Sequence, residues 1–227
     1  FGMIVTLDEV YQQLYEALGP QHWWPAESAF EVVLGAVLVQ NTAWRNVEKA
    51  IENLRQSDLL SAKAMYQLAP EELEELIRPA GYFRMKTRRI RNLLDHLFTQ
   101  HEGSLSAMLK VDTETLREEL LQINGIGPET ADSILLYAAE RPVFVIDTYT
   151  NRILKRHGWI EHEADYSTIQ AHFQTHLEAD SQLYNEFHAL LVRIGNLYCR
   201  KKPRCEECPL SKWLPEDGIC TPPEEEP

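Results

Sequence analysis

The chain has 227 residues, 44% of them hydrophobic and 25% charged, a composition typical of a globular protein large enough to bury a core. No apolar run approaches the roughly 18 residues of a membrane-spanning helix, so no membrane segment is expected. A formal net charge of −13 argues against nucleic acid as a partner. Phe1-Gly2-Met3 carries no signal-peptide pattern and reads as a remnant before a native start, so we expect a cytoplasmic protein.

The charges are distributed unevenly along the chain. Acidic residues gather at Glu71–Glu75, at Glu161–Asp165 and in the tail Glu224–Glu226, which is expected to be disordered. Five of the 22 Lys and Arg residues lie between Arg84 and Arg91, and four more lie between Arg200 and Arg204. Local basic clusters, rather than net charge, contact phosphates, so nucleic acid is not excluded.

Apolar residues repeat at helical spacing in most of the chain, and strand-like alternation is nearly absent. The clearest segments are Phe30–Leu38, Val47–Leu54, Ile90–Phe98, Ala131–Ala138 and Leu183–Leu197. Residues 30–39 are apolar nearly all round, which predicts a central buried helix. The only short β-like run is Val143–Ile146, so the sequence predicts an all-α fold.

Two glycines mark a tight connection between two predicted helices. One helix should end near Gln122, and the next begins with Pro128 in its first turn, where a missing N–H costs nothing. Between them Gly125 and Gly127 flank Ile126, which should point inward between the helices. Glycine N–H groups beside a helix N-terminus can bind a phosphate, although the spacing alone suits a plain helical turn equally well.

A single aspartate, Asp147, follows the apolar run and precedes a helical segment that carries Ile153 and Leu154. Aspartate is a favoured N-cap, and the helix dipole keeps such a carboxylate ionised. A capping role and a role in chemistry are therefore compatible at this position.

All four cysteines fall near the C-terminal end of the sequence, which favours a metal site in a reducing compartment over structural disulfides. They are Cys199, Cys205, Cys208 and Cys220, separated by five, two and eleven residues. Four thiolates suit either a [4Fe–4S] cluster or zinc, and a single C-x-x-C slightly favours zinc by spacing alone.

The hairpin glycines, with an aspartate about 20 residues beyond them, resemble the helix-hairpin-helix signature of the endonuclease III superfamily of DNA glycosylases. Other segments resemble the 3-methyladenine DNA glycosylase III branch: Trp23-Trp24-Pro25, Leu34–Leu38, Gln40-Asn41-Thr42 and Gly125-Ile126-Gly127 followed by Glu129. The resemblance extends from about residue 28 to the cysteines. It implies a six-helix barrel with the hairpin at 28–140, a second helical domain made of 1–27 and 141–227, and a DNA-binding cleft between them.

The resemblance also implies a function in base excision repair. A monomer would bind double-stranded DNA, flip a damaged or modified base and hydrolyse its N-glycosidic bond. Asp147 would be the catalytic carboxylate, which stabilises the oxocarbenium character of the sugar. Bifunctional members carry a lysine two residues after the second hairpin glycine, whereas this chain has Glu129, which cannot form a Schiff base. We therefore expect no AP lyase activity, although a first-turn glutamate also simply suits the helix dipole.

The same resemblance assigns residues to the bound DNA. Trp24 and Trp44 would sandwich the flipped base, with Trp23 as a third pocket candidate, and stacking with cation–π attraction would favour a positively charged alkylated purine. Tryptophans at such spacing also occur as ordinary core. Gln40 or Asn41 would fill the gap that the flipped base leaves in the duplex. Phosphate contacts would come from Gly125, Ile126, Gly127 and Thr130.

Several alternatives stay open at this point. The cysteines match the family's cluster motif in order and location, although the last gap is longer here, so the resemblance implies a [4Fe–4S] cluster with zinc as the alternative. The substrate alternatives are oxidised pyrimidines, with lyase activity, or a modified or mispaired adenine. A non-catalytic DNA-binding module is the alternative of another class. Bound to DNA, the protein would be associated with the nucleoid.

Overall fold

The computed structural model of the protein describes residues 5–221. Every regular element in that part of the chain is a helix, which confirms the prediction of an all-α fold. None of these helices combines the length and the apolar character needed to cross a membrane. Phe1-Gly2-Met3 and the acidic tail Glu224–Glu226 lie outside the described residues.

Twelve α-helices are formed by residues 5–221. In chain order they are α1 (Leu7–Leu18), α2 (Ala29–Leu38), α3 (Trp44–Gln56), α4 (Ala62–Gln67), α5 (Pro70–Ile77), α6 (Phe83–Gln100), α7 (Leu105–Met108), α8 (Thr113–Gln122), α9 (Pro128–Ser133), α10 (Thr148–Arg156), α11 (Tyr166–His176) and α12 (Ser181–Leu197). Short 3₁₀ turns are formed by Arg78–Ala80, Cys205–Glu207 and Ser211–Trp213. A π-helical turn at Ile134–Ala138 continues α9.

The chain divides into two compact units. One unit is continuous, comprises Trp24–Arg141 and contains α2 to α9. The other joins Phe1–Trp23 to Pro142–Pro227, and its described part contains α1 and α10 to α12.

Helix α2 is the buried centre of the continuous unit. Its start is capped by Ser28, whose hydroxyl accepts a hydrogen bond from the N–H of Glu31 at 3.2 Å. All side chains from Glu31 to Leu38 are buried, which confirms the prediction of a central helix. The one charged member, Glu31, is paired with Arg55 of α3 at 2.9 Å, because a buried carboxylate needs a partner.

The β-like run Val143–Ile146 forms no strand but a buried segment without regular secondary structure. Two glutamine side chains of α11 form backbone hydrogen bonds of the kind that a neighbouring strand would form. Gln174 accepts from the N–H of Phe144 at 2.9 Å, and Gln170 donates to the C=O of Phe144 at 2.8 Å. These two bonds satisfy the backbone of Phe144 without a sheet, and the run ends at Asp147, the N-cap of α10.

Candidate active site

The hairpin between α8 and α9 has the geometry that its glycines predict. Gly125 has φ +97°, and a Cβ there would lie 2.3 Å from Cγ of Arg89, so only glycine fits. Ile126 is 4% exposed and points inward as predicted, and its N–H donates to the C=O of Ile123. Gly127 is the exposed N-cap of α9, with open space around its Cα. This end of α9 is accessible to an anion.

The side chain of Gln40 connects the hairpin to α6 through a set of hydrogen bonds, here called the Gln40 clasp. The amide of Gln40 donates to the C=O of Gly125 at 3.1 Å and to the hydroxyl of Thr130 at 2.8 Å. Its carbonyl oxygen in turn accepts a hydrogen bond from Arg89 of α6. Thr130 is only 6% exposed, so its hydroxyl faces Gln40 rather than an incoming phosphate. Sequence reasoning did not predict this clasp.

Asn41 differs from its neighbour Gln40. It lies in the turn after α2 with φ +54°, a left-handed conformation that asparagine tolerates better than most residues. Its side chain is exposed, whereas that of Gln40 is held by the clasp. Of the two residues predicted to fill a gap in the duplex, Asn41 is therefore the one that faces solvent.

Three aromatic rings pack together around Gly35 of α2. Trp24 and Trp44 meet edge to face, with ring centroids 5.0 Å apart and planes at 86°, and Tyr137 lies 5.0 Å from Trp24. A Cβ at Gly35 would approach both tryptophans to within 3.3 Å, so the glycine makes room for them. A ring sandwich around a base needs parallel planes roughly 7 Å apart. The two rings are edge to face in this structure, and the sandwich around a flipped base stays a prediction.

Asp147 is the N-cap of α10, as its sequence context predicts. Its Oδ1 accepts a hydrogen bond from the N–H of Thr150 at 2.7 Å, while its Oδ2 lies 3.8 Å from Nε2 of His188 on α12. The side chain is 11% exposed. One oxygen is therefore engaged in the cap, and the other lies beside His188.

His188 is a neighbour of Asp147 that sequence reasoning missed. It is 6% exposed, and burial lowers its pKa, an effect that the nearby Asp147 only partly opposes. The imidazole is therefore neutral near pH 7 and adds no positive charge beside Asp147. A histidine within the apolar pattern of α12 was the only sequence signal, and it does not reveal which helix start the ring faces.

Glu129 lies in the first turn of α9, directly after Pro128, and is exposed. Its backbone C=O accepts a hydrogen bond from the hydroxyl of Ser133 at 2.7 Å. A carboxylate in a first turn is favoured by the helix dipole, so this residue is compatible with the local structure whatever its role.

The basic cluster between Arg84 and Arg91 is less available than its sequence suggests. Lys86 is 1% exposed and donates to the C=O of Ala80 at 2.7 Å, while Arg91 donates to the C=O of Leu68 at 2.6 Å. Arg89 belongs to the Gln40 clasp. Exposed charges on this stretch are those of Arg84 and Arg88.

The four cysteines surround the C-terminal end of α10. A pocket there is lined by Cys199, Cys205 and Cys208, and the N–H of Cys220 donates to the C=O of Arg156 at 2.8 Å. No three of these sulfurs lie within 4.8 Å of one another in the described chain, whereas a single tetrahedral zinc would hold them about 3.8 Å apart. The four sulfurs therefore do not form a tight ligand group in the described part of the chain.

The chemistry of the donor set fits a metal group. Burial raises the pKa of the Cys205 and Cys208 thiols, so a positive partner is needed to hold them as thiolates. Arg156 supplies one such partner, because its guanidinium donates to Sγ of Cys199 at 3.4 Å. Arg152 donates to the C=O of Cys199 at 2.7 Å, so the cysteine segment is attached to the same helix that Asp147 caps.

Comparison with known proteins identifies the family. Residues 34–179 match the family model described as HhH-GPD superfamily base excision DNA repair protein. A protein of Methanocaldococcus jannaschii, provisionally named as a DNA repair glycosylase, is 45% identical over 207 residues that cover 90% of this chain and 94% of that protein. The endonuclease III of Thermotoga maritima is 30% identical over 180 residues, 79% of each chain.

Solved structures have the same fold. The 3-methyladenine DNA glycosylase MagIII of H. pylori, bound to 1,N6-ethenoadenine, superposes with a TM-score of 0.72 at 28% identity, covering 85% of this chain and 98% of that one. An endonuclease III in a non-covalent complex with DNA has a TM-score of 0.78 at 22% identity, covering 92% and 94%. The chain therefore belongs to the HhH-GPD superfamily of base excision DNA repair proteins and is a DNA glycosylase.

Proposed function

We propose that this DNA glycosylase releases alkylated or otherwise modified purines by hydrolysis and does not cut the DNA strand. The proposal depends above all on Asp147, a carboxylate with one oxygen bound in a helix cap and the other beside a neutral histidine. Glu129, in the place of the amine used by bifunctional relatives, supports the absence of strand cleavage.

Asp147 would act on the deoxyribose as its bond to the base breaks. Positive charge then develops on the sugar, and a fixed anion lowers the energy of that state. The cap bond from the N–H of Thr150 fixes the orientation of the carboxylate before DNA arrives. The same group can orient or deprotonate the attacking water, which leaves an intact abasic site.

Recognition of the base would fall to the aromatic cluster of Trp24, Trp44 and Tyr137. Aromatic faces attract a cationic ring, and an alkylated purine carries the positive charge that neutral bases lack. Such a base is also an activated leaving group, so no strong general acid is required. The H. pylori relative, a 3-methyladenine DNA glycosylase solved with ethenoadenine, favours the same substrate class.

Contacts to the duplex would come from the hairpin and from exposed charges. The exposed N-cap Gly127 at the start of α9 suits a phosphate, while Arg84 and Arg88 add positive charge. The exposed cluster Arg200–Arg204, attached to the cysteine segment, would add a second phosphate contact. Asn41, exposed and in a left-handed turn, would fill the gap left by the flipped base.

The four cysteines would hold a [4Fe–4S] cluster. The order and location of the cysteines, which resemble the family's cluster motif, and the pocket that three of them line at the end of α10 support this assignment. When bound, the cluster would supply cross-linking rather than chemistry, because hydrolysis of a glycosidic bond transfers no electrons. Arg152 and Arg156 would connect this cross-link to the helix that Asp147 caps.

A base-release assay tests the proposal. Duplexes that each contain one lesion are incubated with the wild type and with Asp147→Asn, and the free base is separated by chromatography. We expect release of alkylated purines by the wild type alone. Release confined to oxidised pyrimidines would overturn the substrate class, and no release from any duplex despite binding would indicate a non-catalytic DNA-binding module.

A further inference from the structure

Two histidines and a glutamate converge at the far end of α6. His96 lies in the last turns of α6, His101 caps its end, and Glu119 extends from α8. The same oxygen, Oε2 of Glu119, lies 3.3 Å from Nε2 of His96 and 2.8 Å from Nε2 of His101. The side chains are 17%, 10% and 27% exposed in the same order, so the group is sheltered but not closed.

The distances match those required around one metal ion. Zinc bonds of about 2.0–2.2 Å to imidazole nitrogen and carboxylate oxygen place neighbouring donors about 3.4 Å apart. The three donor atoms here all lie within 4.8 Å of one another, and both measured pairs lie closer than 3.4 Å. Small side-chain movements suffice to bring all three donors to bonding distance.

We propose that His96, His101 and Glu119 form a binding site for a first-row transition-metal dication such as Zn²⁺. Two imidazoles and one carboxylate are a donor set that zinc favours. The exposed fraction of Glu119 leaves the fourth position to water. The ion would take the place of the direct contacts between the two imidazoles and Glu119, and each imidazole would present an unprotonated nitrogen to the metal.

The site would connect α6 to α8, the helix that leads into the hairpin. Residues 89, 92 and 96 lie on one face of α6. Arg89 contacts Gly125, and Asn92 donates to the C=O of Asn124 at 2.9 Å, so this face already supports the hairpin. A metal ion bound by both His96 and Glu119 would link the same face of α6 to α8. The link would cross-link the chain segment between these two residues. The proposed site is thus structural and distinct from the cysteines.

Metal titration of the purified holoprotein tests the proposal. After treatment with a mild chelator, Zn²⁺ is titrated calorimetrically into the wild type and into a His96→Gln/His101→Gln variant. We expect the wild type to bind one more equivalent than the variant and to gain thermal stability with added zinc. The matched control is His172→Gln/His176→Gln, which removes the other neighbouring histidine pair and should bind like the wild type.

Two further measurements separate this site from the cysteines and from misfolding. Zinc-edge X-ray absorption of the titrated wild type should show nitrogen and oxygen neighbours at about 2.0–2.2 Å, whereas sulfur neighbours at about 2.3 Å would overturn the proposal. Glu119→Gln keeps a hydrogen-bond acceptor for the histidines but loses the anion, and it should lose the extra equivalent while unfolding cooperatively. Equal stoichiometry in the wild type and both site variants would also overturn the proposal.

Discussion

His188 Nε2 lies 3.8 Å from Oδ2 of Asp147, so a buried imidazole borders the carboxylate that we propose as catalytic. A protonated histidine there would form an ion pair and weaken the field that the carboxylate exerts on a sugar cation. Because burial lowers the pKa of His188, the ring is neutral near pH 7 and the charge of Asp147 stays available.

Replacement of the carboxylate should separate capping from catalysis. Asparagine caps helices about as well as aspartate, so Asp147→Asn should keep α10 and the stability of the protein. Base release should fall by about 100-fold or more, while DNA affinity stays equal or tightens because a charge that repels phosphate is lost. Single-turnover kinetics and a binding titration measure the two effects. Activity within a few-fold of wild type would leave Asp147 as a cap alone.

The buried histidine should make stability depend on pH. The lowered pKa of His188 means that the unfolded chain takes up a proton first as pH falls through about 6.5. The free energy of unfolding should therefore decrease from pH 7 to pH 5, and His157 and His172, whose pKa values burial also lowers, should add to that decrease. Urea unfolding should show a smaller decrease for His188→Gln. Parallel pH curves for the two proteins would contradict the assignment.

Two cations on α6 should differ in their contribution to DNA binding. Arg88→Ala should reduce the slope of log affinity against log salt by about one, because an exposed charge near phosphate is lost. Lys86→Met, two residues away, should leave the slope unchanged, since Lys86 is buried against the C=O of Ala80. Affinities at several salt concentrations measure both slopes. A similar loss of slope in the two variants would show that Lys86 becomes exposed in the complex.

The adjacent residues Gln40 and Asn41 should also have separable roles. Gln40→Ala removes a partner from Thr130 and from Arg89, which should lower the free energy of unfolding by about 1–3 kcal/mol. Asn41→Gly keeps the left-handed backbone and should leave stability nearly unchanged while it weakens binding to DNA with a flipped base. Thermal unfolding and fluorescence of a base analogue distinguish the two. Loss of base flipping in Gln40→Ala alone would reverse the assignment.

Base removal should occur without a nick in the strand. Elimination requires an iminium between an amine and the opened sugar, and Glu129 offers no amine. Borohydride trapping on a processed substrate should give no covalent complex, and gels run without alkali should show intact strands. A nick that appears at the rate of base release would contradict this prediction. Glu129→Lys should shift the enzyme toward nicking, provided that the new amine reaches the sugar within about an ångström of the required position.

Local patterns in the sequence were enough to predict features that depend on a few neighbouring residues. Helical spacing predicted the buried α2, and Pro128 with the two glycines before it predicted the start of α9. The position of Asp147 after an apolar run and before a helical segment predicted that it caps α10. These features follow from backbone conformation and from side-chain periodicity, both of which act over a few residues.

Contacts between distant segments were decided only by the tertiary structure. The clasp joins Gln40 to Thr130, 90 positions away, and no local pattern specifies that pairing. Packing also decides which charged side chains reach solvent. Lys86 and Arg88 look equivalent in the sequence, but in α6 Lys86 is buried and Arg88 is exposed. The neutral His188 beside Asp147 follows from the desolvation that α12 imposes, which exists only once the helices have packed.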